Sequence, residues 1–190
     1  MAKKILLGTA VGAVAIFLVS FVWHMFTPLA EAGISNLPHE DALSTAMKLG
    51  IKEPGWYMFP GIDVSKQNDP AEQKRYLEAF QKGPTGLLIY HPGGEEFSFG
   101  KLLVNQFLFS VGSALVISCL LAMAAGALPG FGQRVLFICL VALFGAFTTD
   151  LPYWNWYGFP LNYTIAHLAG IVVTWAVAGC AVAAVVKKTA

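Results

Sequence analysis

Charge is what this chain has least of. Lys, Arg, Asp and Glu make up 12% of its 190 residues against 56% hydrophobic, where a soluble domain carries about 25% charged residues. That balance excludes an ordinary water-soluble domain and makes the bilayer the natural solvent. Cysteine is scarce as well. Cys119, Cys139 and Cys180 all fall inside apolar runs with no C-x-x-C spacing, so no thiol redox pair or zinc knuckle is encoded, and buried cysteines of this kind behave as small apolar residues. Nucleotide-binding and hydrolase signatures such as the P-loop, G-x-G-x-x-G, G-x-S-x-G and H-E-x-x-H are missing. The apolar runs lack ionisable groups near their centres, with Asp150 reading as the rim of the third. An ion-coupled carrier places such a group near the midplane, so a small-solute transporter is the least favoured class.

What is present is a set of four apolar windows, over residues 5–26, 102–128, 135–149 and 163–186. A helix needs about 20 apolar residues to cross a hydrocarbon core about 30 Å thick. The third window is the weakest, because the run between Arg134 and Asp150 spans only about 22 Å as helix. The first begins "MAKK" and is followed by "AEA" at 30–32, which imitates a secretory signal. Its apolar run exceeds the roughly 7–15 residues of a signal core, which favours an uncleaved span.

Lys3, Lys4, Arg134, Lys187 and Lys188 fall on one side if the spans alternate, and all eleven acids fall on the other. Positive residues next to spans stay cytoplasmic. The expectation is therefore an inner-membrane protein with both termini cytoplasmic and residues 27–101 periplasmic. The net charge of +1 hides this asymmetry, which argues against nucleic acid as a partner.

The periplasmic segment reads as a small α/β module between the first and second spans. "SNLPHEDALSTAMKLG" predicts a helix with its acids in the first turn, ending at Gly50. "NDPAEQKRYLEAFQKG" predicts another, with Asp69 capping, Pro70 at the first helical position, Glu72 completing a D-x-x-E box and Gly83 ending it. Tyr76, Leu77 and Phe80 form its expected buried stripe. Strand-like runs at 54–61 and 85–94 follow the two helices, a repeated helix-then-strand plan. Its exposed edge could accept a strand from another chain.

"DLPYWNWYGFP", residues 150–160, carries Tyr153, Trp154, Trp156, Tyr157 and Phe159 between Pro152 and Pro160. The expected form is an outer interfacial loop over 150–162, because Trp and Tyr seat their rings among headgroups. Five rings exceed what anchoring needs, so a contact surface for another membrane protein or a small-molecule pocket stays open.

His24 and His167 lie near the outer ends of the first and fourth spans at similar depth, the arrangement a b-type haem requires. Interfacial histidines bonded to backbone or water are the commoner case. His39, in "HEDALS", has no ligand spacing, and His91, in "YHPGGEE", is a weak hard-cation candidate. Small residues repeat every fourth position at Ser110, Ala114, Ser118, Ala122 and Gly126, and again at Ala166, Gly170, Thr174 and Ala178. Gly8 and Gly12 form a G-x-x-x-G. Such ladders let helices approach closely in lipid, within this bundle or against a partner.

On "EPGWYMFPG", "GPTGLLIYHPGG" and "DLPYWNWYGFP" the whole chain resembles a group of small bacterial inner-membrane proteins with one span, an outer segment and three further spans. The resemblance implies the topology and outward loops, and neither an activity nor functional residues. The fold class expected is thus an α-helical integral membrane protein of four transmembrane helices: 1–26, an α/β module over 27–101, and a three-helix region over 102–190. The function expected is a non-catalytic accessory, structural or assembly subunit of a larger membrane complex such as a respiratory or photosynthetic one, whose partners are the bilayer and other membrane subunits. That reading needs no cofactor. The competing reading is a haem- or quinone-binding electron-transfer protein using His24 and His167.

Overall fold

The computed structural model describes residues 1–94 and 96–188. They fall into two compact units, Met1–Ser35 with Phe97–Ala190, and Asn36–Glu96.

The first unit holds four helices long and apolar enough to span a membrane. They are α1 (Ala2–Phe26), α4 (Phe99–Ala124), α5 (Phe131–Tyr157) and α6 (Leu161–Val185). α1 packs along both α4 and α6, and α6 along α5 as well, whereas α4 and α5 meet only sparsely. The result is a row α4–α1–α6–α5 bent round on itself with a gap between its two end helices.

Small residues make the close pairings. A Cβ on Gly8 would stand 2.6 Å from Val186 Cγ2 and 2.9 Å from Ser118 Oγ, and one on Gly12 would stand 2.7 Å from Val182 Cγ2 and 3.1 Å from Ala114 Cβ. The G-x-x-x-G of α1 therefore seats against α4 and α6 together. Ser110, Ala114 and Ser118 are buried on α4, as are Ala166, Gly170, Thr174 and Ala178 on α6. Ala122 packs at the margin of the core. Gly126 does not extend the ladder, because α4 ends at Ala124 and nothing lies within 4 Å of a Cβ built on it.

The third span corrects the expectation most. Far from being the shortest, α5 is the longest helix at 27 residues, and it runs through Pro152 to Tyr157. "DLPYWNWY" is thus the last two turns of a helix, and the connection to α6 is only Gly158, Phe159 and Pro160, with Gly158 at φ 71°. A proline removes one intrahelical bond and crowds the carbonyl four residues back, a defect that a helix near its end tolerates. The bundle is also not free of buried charge. Arg134 and Asp150, read from sequence as flanks of a short span, lie inside α5 at 6% and 7% exposure.

Arg134 sits at the end of the bundle that carries both termini, where Lys4 Nζ donates to the Lys187 carbonyl at 2.9 Å. Its guanidinium donates to the carbonyls of Leu128 and Pro129 in the α4–α5 turn and of Ala183 in α6. One side chain thereby satisfies a carbonyl in the last turn of α6 and two in the turn that leads into α5.

The second unit contains α2 (Glu40–Gly50), β1 (Gly55–Phe59), α3 (Pro70–Lys82) and β2 (Gly86–Tyr90). The strands pair antiparallel, with Trp56 opposite Ile89 and Met58 opposite Leu87. Asp69 caps α3 by accepting from the Ala71 amide, and Pro70 takes the first helical position. Glu72 does not turn back to Asp69 as a capping box requires. It accepts instead from the Asp63 amide at 3.1 Å and from Arg75 Nε at 2.7 Å. Leu77 and Phe80 are exposed rather than a buried stripe.

Candidate functional site

The site lies in the first unit, on the α5–α6 pairing at the end remote from the termini. Asp150 is seven residues before the end of α5 and His167 six after the start of α6, so each lies roughly 10 Å along its helix from the connecting turn. Because that turn is tight, the two helices run back alongside each other in register and the side chains meet. His167 Nδ1 lies 2.6 Å from Asp150 Oδ1. The carboxylate side chain is 8% exposed and the imidazole 42%. An ionised carboxylate can only accept, so Nδ1 carries the hydrogen and Nε2 is the nitrogen left for a ligand.

A chain of aromatic rings leads to His167. Tyr163, one turn before it on α6, stacks on the imidazole at 5.8 Å with planes 6° apart. Phe159 packs on Tyr163, and Tyr153 packs on both Phe159 and Tyr157. Tyr153, Tyr157 and Phe159 from the aromatic stretch therefore form an unbroken line of rings ending on His167. Trp154 and Trp156 are exposed at 43% and 76%, and Tyr153 at 39%.

Two cavities adjoin the pair. One, of about 500 Å³, lies among α1, α4 and α6 and is lined by both His24 and His167, with Ser20, Gln106 and Thr174 as further polar groups. The other, of about 810 Å³, lies between α4 and α5 over α6 and is apolar apart from Ser113, Thr149, Asp150 and His167. Ser113, His167, Ile171 and Trp175 line both. The histidine thus stands where a more polar chamber and an apolar groove adjoin, at the seam where α4 and α6 pack sparsely, and the groove is the gap that sparse α4–α5 packing leaves.

His24 and His167, paired in the sequence reading as candidate haem or quinone contacts, both line one chamber. His24 Nδ1 donates to the Ser20 carbonyl at 2.8 Å, a bond within its own helix, which again leaves Nε2 for a ligand. Beside them α1 and α6 close tightly, a Cβ on Gly170 standing 2.8 Å from Trp23 Nε1. What sequence reading missed is Asp150 as the partner of His167, and Tyr163 as the ring stacked on it. The signal available was the spacing of Asp150 and His167 about a common turn, masked by treating Asp150 as the end of a span.

His39 occupies the N-cap position of α2 in the left-handed region, at φ 51°, with no side-chain capping bond, and His91 follows β2 in a loop. Glu95, half of the acidic pair beside His91, lies outside the described residues. Among the described residues no three His, Cys, Asp or Glu side chains gather as a metal site. No protein-family model matches the chain, and comparison with curated proteins and with solved structures finds no match either.

Proposed function

We propose that the protein is a non-catalytic, ligand-holding accessory subunit of a bacterial inner-membrane complex, with its termini cytoplasmic and residues 27–101 periplasmic. It takes an apolar small molecule with a polar head from the bilayer through the α4–α5 gap and holds that head at His167. The observation that carries this reading is the buried Asp150 carboxylate bonded to His167 where the two cavities adjoin. A buried carboxylate in lipid is costly, and such groups mark functional sites by default. Here it fixes an imidazole where a ligand reaches it, the device by which carboxylates orient ligand-binding histidines generally.

The test is purification of the tagged protein from its native membrane in mild detergent, with mass spectrometry of both the associated subunits and the organic extract. A stoichiometric set of membrane subunits together with one enriched amphiphile is expected. A solitary chain whose extract matches bulk lipid would overturn the reading.

A second reading, b-type haem, is favoured by one observation: both histidines commit Nδ1 to an acceptor and leave Nε2 for ligation. It requires a reduced-minus-oxidised absorption band that His24→Ala and His167→Ala each abolish. A colourless protein from native membranes would sink it.

A further inference from the structure

We propose that the molecule held is a prenylated quinone, its ring in the chamber beside His167 and His24 and its isoprenoid tail in the α4–α5 groove. This rests on the ligand-holding reading and adds the chemical class.

Charge selects the head. Among the described residues no Lys or Arg lines either cavity, so none there neutralises the phosphate of a phospholipid. Asp150, the one anion lining them, already has His167 as its partner, and a fatty-acid carboxylate beside it would meet like charge. An uncharged head remains. Its polar atoms must meet partners on two helices, because His24 on α1 and His167 on α6 both line the chamber, each with Nδ1 already bonded and Nε2 left for a ligand. A sterol or a fatty alcohol has one hydroxyl and leaves one of these without a partner. A para-quinone has two oxygens at opposite ends of a flat ring, and Trp175 offers an aromatic wall.

With each Nδ1–H held by its own acceptor, each Nε2 accepts from one of the two hydroxyls of the reduced ring, the quinol.

Shape selects the tail. Gly112 on α4 and Gly145 on α5 line the groove, and a Cβ on either would meet nothing within 4 Å. Their openness is not needed for contact between the protein's own helices, unlike that of Gly8 and Gly12. An isoprenoid chain lying between Val116 and Val141 would fill it.

The full-length protein in nanodiscs is titrated with decyl-benzoquinol and with the same reduced ring lacking the decyl chain, followed by tryptophan quenching. His167→Phe is expected to weaken both about tenfold, a loss of one good polar contact. Gly145→Leu, whose side chain enters open space and leaves the fold intact, is expected to weaken the decyl compound about tenfold and the bare ring less than about twofold. His167→Gln, which keeps a polar group, should lie between wild type and His167→Phe, and guards against a folding defect. Binding unaltered in both His167 variants would overturn the proposal. If dodecanol competes with the decyl compound on equal terms, the quinone class falls and the ligand-holding reading stands. If the quinols, the alcohol and the native lipid extract all fail to bind, both fall.

Discussion

Arg134 Nε donates to the carbonyl of Ala183 at 3.1 Å, tying the start of α5 to the last turn of α6. At the other end of the same two helices Asp150 accepts from His167. The two buried charges of α5 thus clamp one helix pair at both ends, and they differ in what surrounds them. Arg134 meets only backbone carbonyls, and Asp150 meets a side chain that lines a cavity. The first is structural chemistry and the second leaves a nitrogen for a ligand.

Arg134→Ala therefore destabilises without touching the site. Three carbonyls lose a charged donor, and charge-assisted bonds contribute about 1.5–3 kcal/mol each at most, with partial rescue by water at a helix end, so a loss of about 3 kcal/mol is expected. Arg134→Lys recovers less than half of it, because a single ammonium cannot reproduce the guanidinium fork. Thermal unfolding in bicelles measures both; a Lys variant as stable as wild type would show that the fork geometry is irrelevant.

Glycines separate into two groups by what a side chain would meet. Gly12→Leu drives its side chain into Val182 and Ala114, and overpacking of this kind costs about 1–3 kcal/mol or more. Gly112→Leu enters the groove and leaves stability within about 0.5 kcal/mol. The same unfolding measurement compares them. Equal losses would mean that the groove is closed in the membrane.

Much of this was open to inspection in the sequence, and what was hidden was hidden for physical reasons. Hydropathy and length mark spans directly, and Gly8, Gly12, Ala114 and Ser118 announce close packing because only small residues permit it. Asp150 misled because a carboxylate normally terminates an apolar run. It continues inside α5 because His167, seventeen residues later, returns to meet it, and a window of hydropathy cannot see a partner across a turn. Pro152 misled likewise, since its cost depends on how close the helix end is. The groove was out of reach altogether, because it depends on which helices are neighbours, and periodicity along one helix does not determine the order of four.

Asp150 and His167 should be energetically coupled. Asp150→Leu leaves His167 without its acceptor and loses packing shaped for a carboxylate, for a cost of roughly 3 kcal/mol. The double variant Asp150→Leu with His167→Leu removes both polar groups and is expected to be less damaging than the sum of the singles, since apolar replacement of a whole buried pair is often neutral. A strictly additive pair of losses, measured by unfolding in bicelles, would mean that the 2.6 Å contact contributes nothing specific.

In the second unit the pH dependence is carried by Glu72. Its carboxyl is lowered to about 2, first by the hydrogen bond from Arg75 and then by that from the Asp63 amide. Arg75 also donates to the Gly61 carbonyl at 2.9 Å, so the three groups pin residues 61–63 onto α3. A folded-state value below the ordinary 4.5 means that the contact stabilises fully above about 4.5 and fades as pH falls through about 2. Asp63 is lowered as well, chiefly by the Ser65 hydroxyl, and titrates on the same side. A carbon-13 titration of the Glu72 carboxyl in the full-length protein in nanodiscs should show a midpoint near 2, and Arg75→Ala should return it toward the ordinary range. A wild-type midpoint already near 4.5 would mean that the Arg75 fork does not persist in solution. A low midpoint that survives Arg75→Ala would transfer the effect to the Asp63 amide.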